Sequence, residues 1–319
     1  MRYLLRRIGY AFFLLISVSV LSFSLIEAAP GDFFDNLRMN PRVSERTIEV
    51  LRAKYGFRES LPMRYVRWVS SVASGDWGFS LAYNSPASGI LWPRALNTLL
   101  LTGTSTVCAW LLSIAIGIAG AIRPGRLSKT VFNVSISGLL AFPELTLALL
   151  LLLFAARTGS FPTGGMTSPA PQMGVWNMWK DVSHHLFLPV GCLALGALPL
   201  LSSHVRTAVS EALRSPFVAA ARAHGIPLHR LLFRYALPAA ANPLISLLGF
   251  SIGMLLSSSL LIEAIFAWPG IGQLLLEAIL QRDFYLVVDA AMLAGIFFVA
   301  GNLLADILLY FCDPRIRIS

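Results

Sequence analysis

The chain has 319 residues, 56% of them apolar and 13% charged, with a net charge of +9 and a mean hydropathy of +0.70. With glycine counted and tyrosine left out, the apolar share is roughly 61%, against about 45–50% in soluble domains, so lipid must solvate much of the chain. This excludes a soluble enzyme, and the widely spaced Cys108, Cys192 and Cys312 give neither a disulfide framework nor a zinc site.

Six apolar stretches are long enough to cross the hydrocarbon layer, which takes roughly 20 helical residues each. They are Ile8–Ala28, Ala95–Ile122, Val131–Ala155, Leu186–Leu201, Pro243–Phe266 and Leu286–Phe311. The fourth is the shortest and is interrupted by Pro189 and Pro199. The first follows Arg2, Arg6 and Arg7, as a signal peptide would, but its apolar run of about 20 residues is too long, and Glu27-Ala28-Ala29-Pro30 is a poor cleavage site because Pro30 would follow the cut. It reads as a retained anchor.

The bases lie in short blocks between these spans, a topology signal rather than a nucleic-acid footprint. Arg2, Arg6 and Arg7 precede span one, and Arg123, Arg126 and Lys129 separate spans two and three. Arg206, Arg214, Arg222, Arg230 and Arg234 separate spans four and five, and Arg315 and Arg317 follow span six. With six spans all four blocks share one side, which makes both termini cytoplasmic. The expected fold is therefore an all-α polytopic membrane protein with six transmembrane helices, a small extracytoplasmic domain after helix 1 and a structured cytoplasmic loop between helices 4 and 5. Its parts are 1–29, the N-terminus and first helix; 30–94, the outside segment; 95–311, the membrane core with the cytoplasmic loop 204–240; and 312–319, the tail.

In the outside segment, Ser44 is a natural N-cap for a helix carrying Ile48, Leu51 and Tyr55 on one face, with Gly56 as its stop. A second pattern runs from Pro62 through Tyr65, Trp68, Val69 and Val72 to Gly75. Two helices this short cannot form a core alone and are expected on the ends of the membrane helices. The loop Arg157–His185 carries turn chemistry, Phe161-Pro162-Thr163-Gly164-Gly165 and Pro169-Ala170-Pro171, without helical period. Within it, His184-His185 raises a metal hypothesis, but adjacent rings rarely converge on one ion and no third ligand is evident, so the structural reading is preferred.

The loop between spans four and five is the most informative segment. In Ser215-Pro216-Phe217-Val218-Ala219-Ala220-Ala221-Arg222-Ala223-His224-Gly225, Ser215 suits an N-cap, Pro216 the first helical position, and Gly225 a left-handed C-terminal stop. The result is a two-turn helix, too short to be stable unless something packs against it. Small alanines fit a groove in another protein better than a lipid surface, where larger apolar side chains are favoured. A second pattern, Pro227 to Leu237, carries Leu228, Leu231, Leu232 and Tyr235 on one side and ends at Pro238.

These residues resemble a known family. Ala219-Ala220-Ala221-x3-Gly225-x11-Leu237-Pro238 has the spacing of the EAA loop of ATP-binding-cassette importer permeases, with Ala219 where the motif has Glu. Ala221-Arg222-Ala223-His224-Gly225 is similar to the core of the dipeptide, oligopeptide and nickel branch, with His224 in place of Lys. Tyr55-Gly56, Leu61-Pro62-x-Arg64-Tyr65, Gly75-Asp76-Trp77-Gly78-Phe79-Ser80, Glu263-Ala264-Ile265-Phe266-x-Trp268-Pro269-Gly270-Ile271-Gly272 and Asp313-Pro314-Arg315-Ile316-Arg317 resemble further segments of that branch. The likeness spans the whole chain, and the long segment after span one resembles the first of the two paired permeases.

The resemblance implies a non-catalytic, membrane-translocating subunit of a binding-protein-dependent importer in a bacterial or archaeal plasma membrane. Its partners would be a homologous second permease, two cytoplasmic ATP-binding subunits, an extracytoplasmic substrate-binding protein and membrane lipid, with no nucleic acid. No cofactor or metal belongs to this chain; ATP and Mg belong to the ATPases, consistent with the lack of a Gly-x4-Gly-Lys-Ser/Thr loop here. ATPase coupling falls on Ser215, Pro216, Phe217, Ala219, Ala220, Ala221, Arg222, His224, Gly225 and Pro238. Arg222 is read either as an ion-pair donor to the ATPase or as a solvated charge. Di- or oligopeptides are the expected cargo; nickel or another small solute is the alternative.

Polar residues within spans should face protein or a water-filled cavity. Glu144, beside Pro143 near the middle of span three, is a candidate for the translocation pathway or an acceptor for neighbouring helices. Asn302 and Asp306 share a face of span six and read as packing groups, while Asp289 is expected to reach water near the outer end. Gly117, Gly120, Gly138, Gly249, Gly253, Gly295 and Gly301 allow close helix approach, and Trp268 reads as an interfacial belt residue. An intramembrane enzyme using Glu144, His204 or Asp306 lacks a nucleophile–base pair, and a secondary transporter should show paired inverted halves, which are not evident.

Overall fold

The computed structural model describes residues 2–28, 31, 33–38, 44–54, 57, 59–122, 125–169 and 174–312. The Tyr55-Gly56 stop, Pro30, Arg123, Ala170-Pro171 and the Asp313–Arg317 ending lie outside the described residues. The helices are α1 (Arg2–Ala28), α2 (Phe33–Arg38), α3 (Glu45–Lys54), α4 (Leu61–Ala73), α5 (Ala87–Ile122), α6 (Arg126–Leu140), α7 (Glu144–Thr158), α8 (Val175–Arg214), α9 (Pro216–Ala223), α10 (Leu228–Leu231), α11 (Leu237–Ile265), α12 (Ile271–Leu280) and α13 (Phe284–Cys312). A short antiparallel hairpin, β1 (Phe79–Ser80) and β2 (Ser85–Pro86), precedes α5. Among the described residues, five helical runs are long and apolar enough to span a membrane, or six if the bent pair α6–α7 is one span.

Three expectations for the spans need correction. The stretch Val131–Ala155 is two helices, α6 and α7, meeting at 88°. Pro143 disfavours helical geometry at Phe142 and has no N–H of its own, so it ends one helix and takes the N-cap position of the next. The fourth span, expected to be short, is a continuous 40-residue helix running through Pro189 and Pro199. Both prolines are buried, and packing around them offsets the hydrogen bonds they remove. That helix also begins at Val175, so His184 and His185 lie on its first turns rather than in a loop. Finally, α10 does not end at Pro238. A π-helical turn, Leu232–Ala236, joins it to α11, with the Leu237 N–H donating to the Leu232 carbonyl. The wider turn accommodates Pro238, which supplies no donor.

The chain divides into two compact units, and α1, α5 and α13 have residues in both. The first comprises Met1–Ile8, Leu99–Trp268 and Phe298–Ser319. Its central helix is α8, packed against α6, α7, α9 and α11 around a core that includes Cys192, Leu201, Leu255 and Ile262. Trp268 is fully buried in that core, not an interfacial belt residue. Glycines set several close approaches. A Cβ on Gly253 would sit 2.7 Å from the Phe298 ring, and one on Gly301 would sit 2.5 Å from Ile252, so α11 and α13 interlock reciprocally. Gly138, by contrast, faces open space. Asp306 pairs with Arg7 at 3.3 Å.

The second unit comprises Gly9–Thr98 and Pro269–Phe297. Ser44 caps α3, its hydroxyl accepting the Thr47 N–H at 3.2 Å and meeting the Thr47 hydroxyl at 2.8 Å. Pro62 opens α4, and Gly75 lies just beyond its end in the left-handed region. The buried face of α4 carries Trp68 into an aromatic cluster with Phe23 and Phe284, whereas Val69 is exposed. Arg64 is also buried, with its guanidinium 4.5 Å from the Phe57 ring and 4.4 Å from that of Phe284, and it pairs with Glu27 at 2.8 Å. Asp283 accepts from the Ser80 hydroxyl at 2.6 Å and from the Ala82 N–H at 3.0 Å, which ties the hairpin to the start of α13. Tyr83 donates to Glu277; partial burial, followed by that hydrogen bond to a carboxylate, pushes its pKa up to about 12.

Candidate functional site

The helix expected between spans four and five is α9, and its two ends close by different devices. Ser215 occupies the N-cap position with extended backbone, but its hydroxyl donates to the Ala212 carbonyl at 2.6 Å instead of capping α9. The Ala212 carbonyl, in the last turn of α8, thus accepts both the hydroxyl and, at 3.1 Å, the N–H of Ser215, while Pro216, at the first position of α9, removes one donor that would otherwise need a cap. At the other end, the Gly225 N–H donates to the Arg222 carbonyl at 3.0 Å and the Ile226 N–H to the Ala221 carbonyl at 3.4 Å. With Gly225 at φ +76°, this is a Schellman closure, and Ile226 packs beside Ala221 as that motif favours.

Among the described residues, one edge of α9 packs against the rest of the chain. Val218 and Ala221 are buried against Leu231 of α10, with Leu213 and Tyr235 at the margin. The other face, Phe217, Ala219, Ala220, Ala223 and His224, is exposed, and Phe217 is 51% accessible. Of the three motif alanines, Ala221 therefore anchors the helix and Ala219 and Ala220 remain free for contact. Val218, which the motif does not mark, anchors beside Ala221, and its i, i+3 relation to Ala221 is the sequence signal for it.

Arg222 lines a cavity with Arg206 and Arg214 of α8. Pro238 is exposed in the first turn of α11, beyond the π turn. Glu144 is the first residue of α7 and not mid-helix, because of the break at Pro143. Its carboxylate lies over Gly196 of α8, where a Cβ would come within 2.8 Å of Oε1. His184 bonds to the Ser160 carbonyl at 3.0 Å and His185 to the Asp181 carbonyl at 2.9 Å, so the adjacent rings face separate partners. Among the described residues no three His, Cys, Asp or Glu side chains are placed to hold a metal.

Two family models match the chain: the binding-protein-dependent transport system inner membrane component over residues 113–318, and the N-terminal part of such membrane components over residues 1–90. The chain belongs to this family of transport-system membrane components. A relative in Bacillus subtilis (strain 168), described as the oligopeptide transport system permease protein AppB, is 33% identical over 99% of both chains. The oligopeptide permease OppB of Mycobacterium tuberculosis (strain ATCC 25618 / H37Rv) is 30% identical over 100% of this chain and 99% of its own. The glutathione permease GsiC of Salmonella typhimurium (strain LT2) is 30% identical over 99% of both chains.

Solved structures agree at the level of fold. The inward-facing MetNI methionine ABC transporter, CY5 native crystal form, aligns with a TM-score of 0.59 at 17% identity, over 71% of this chain and 97% of its own. An amino acid ABC transporter with histidines aligns at 0.52 and 18% identity, over 72% and 94%. The permease is thus an integral membrane subunit of an ABC importer rather than a catalytic one, and α9 lies inside the region matched by the larger family model.

Proposed function

We propose that this permease carries di- or oligopeptides inward across the plasma membrane, driven by ATP hydrolysed in two separate cytoplasmic subunits. It works beside a homologous second permease and receives cargo from an extracytoplasmic binding protein. Residues 30–94 lie outside, both termini lie inside, and ATP and Mg stay with the ATPases. The peptide class rests on the oligopeptide and glutathione permeases that align over nearly their whole length.

The observation that carries the coupling role is the split character of α9. One edge is anchored to α10 by Val218 and Ala221, and the opposite face offers Phe217, Ala219 and Ala220 to a partner. Small side chains around one large aromatic suit a helix seated in a cleft, and anchoring lets its displacement reach α11 through the π turn. ATP favours one arrangement of the ATPase pair, and the docked helix biases the membrane conformation that follows. Ala220→Trp adds bulk to the exposed face without entering the core. Co-purification of the ATPase subunits should fall at least about tenfold, the loss of a single well-packed contact, at an unchanged membrane level of the permease. Undiminished association would refute the docking face.

Glu144 is placed on the translocation pathway in this reading, since an ionisable side chain among membrane helices favours a water-filled cavity. Glu144→Ala should lower uptake severalfold while the amount of permease in the membrane stays near wild type. Parallel loss of both would instead make Glu144 a packing residue over Gly196.

A further inference from the structure

At the ends of α5, α6 and α8, beside α9, lies a cavity of about 420 Å³. Four bases line it: Lys129, Arg206, Arg214 and Arg222. Among the described residues none of the four has a carboxylate within ion-pair distance. Converging like charges repel, and an anion seated between them would remove that cost.

One base is held in place by its neighbours. Arg206 donates to Asn133 Oδ1 at 2.8 Å, and its guanidinium stacks 4.3 Å from the Phe132 ring. A Cβ at Gly120 would come within 2.9 Å of that ring and 3.2 Å of Arg206 Cδ, so the glycine makes the room this arrangement occupies. Asn133 is neutral and leaves the charge of Arg206 uncompensated. Arginine forks match the oxygens of a tetrahedral oxyanion, and several cations together favour phosphate over a carboxylate, which one arginine would satisfy. The rest of the wall combines the apolar Ala121, Ile122, Leu213 and Leu228 with Ser210, whose hydroxyl adds a neutral donor, and it stands where apolar helices give way to polar loops. A basic pocket in that position suits a lipid headgroup with its glycerol and upper acyl chain alongside.

We propose that this cavity is a binding site for a phosphate group, supplied by an anionic phospholipid or by free phosphate. The site shares Arg222 with α9, so the variants that test it are placed on α6 and α8, away from the face proposed to dock. The test uses the full chain, delipidated in neutral detergent. Phosphatidylglycerol or phosphatidylcholine is added and counted by native mass spectrometry, and inorganic phosphate is followed by phosphorus NMR line broadening. The expected result is one retained phosphatidylglycerol, favoured over phosphatidylcholine. Retention should weaken at least about tenfold in the Lys129→Gln/Arg214→Gln double variant, which removes two exposed charges without touching the core. Arg230→Gln, on the same loop but outside the cavity, should bind as wild type does. Displacement of the lipid by millimolar phosphate, or phosphate binding without lipid binding, identifies the free anion as ligand; lipid retained against phosphate identifies the headgroup. The proposal is overturned if the double variant binds both probes like wild type, or if wild type binds neither.

Discussion

Gly225→Val is expected to abolish uptake while the permease remains in the membrane. The reason is backbone conformation, since a Cβ at Gly225 would meet nothing within 4 Å. At φ +76° an L residue sits in the left-handed region, at a cost of about 1–2 kcal/mol, and a β-branched side chain is a genuine outlier there. That cost is about tenfold in the population of the closed turn. Without the turn, the hydrogen bonds from Gly225 and Ile226 to the last turn of α9 are lost, and Ile226 no longer covers Ala221. An eight-residue helix has no reserve with which to hold itself. Gly225→Asn separates this cause from crowding, because Asn tolerates the left-handed region. Labelled-peptide uptake by cells in which each variant is the sole copy, normalised to membrane level, should be near wild type for Asn and at least about tenfold lower for Val. Equal transport by the two variants would remove the turn from the mechanism.

The sequence exposes α9 clearly because its limits are set by local chemistry. Pro216 and Gly225 act within a turn of where they stand, as do Pro62 and Gly75 around α4. The same locality explains the failures. Hydropathy averaged over a window of about 20 residues joins α6 to α7, because three residues at the bend cannot outweigh the apolar runs on either side. Pro189 and Pro199 look like breaks until burial by neighbouring helices is known, and the two-residue strands near Tyr83 are too short to show a period. Which face of α9 is free depends on Leu231, ten residues beyond Ala221, and periodicity alone does not assign it. In the sequence the cavity bases are only a topology signal; the placement of Arg206 among them is set by Gly120 of α5 and by Phe132 and Asn133 of α6.

Asp289 is where local reading and tertiary structure differ most, and it carries the second large effect. Expected to reach water, it is fully buried and accepts the indole N–H of Trp68 at 2.7 Å, while its Oδ2 has no hydrogen-bond partner among the described residues. Trp68 also packs against Phe23, with ring centroids 5.9 Å apart, so one side chain both fills the cluster and satisfies the carboxylate. Trp68→Ala removes both functions, and large-to-small changes of this kind cost about 3–5 kcal/mol. Trp68→Phe keeps most of the volume but orphans the acceptor, at about 1–3 kcal/mol. Replacing both partners, Trp68→Phe with Asp289→Leu, should recover much of that loss, since a matched apolar pair leaves no polar group unmet. Hydrogen exchange across α4 in the detergent-solubilised chain gives the readout. Protection should fall most in Trp68→Ala, less in Trp68→Phe, and return toward wild type in the double variant. Unchanged exchange in Trp68→Ala would mean that α4 is held to α1 and α13 by Arg64 and the remaining aromatic rings, without the Trp68–Asp289 bond.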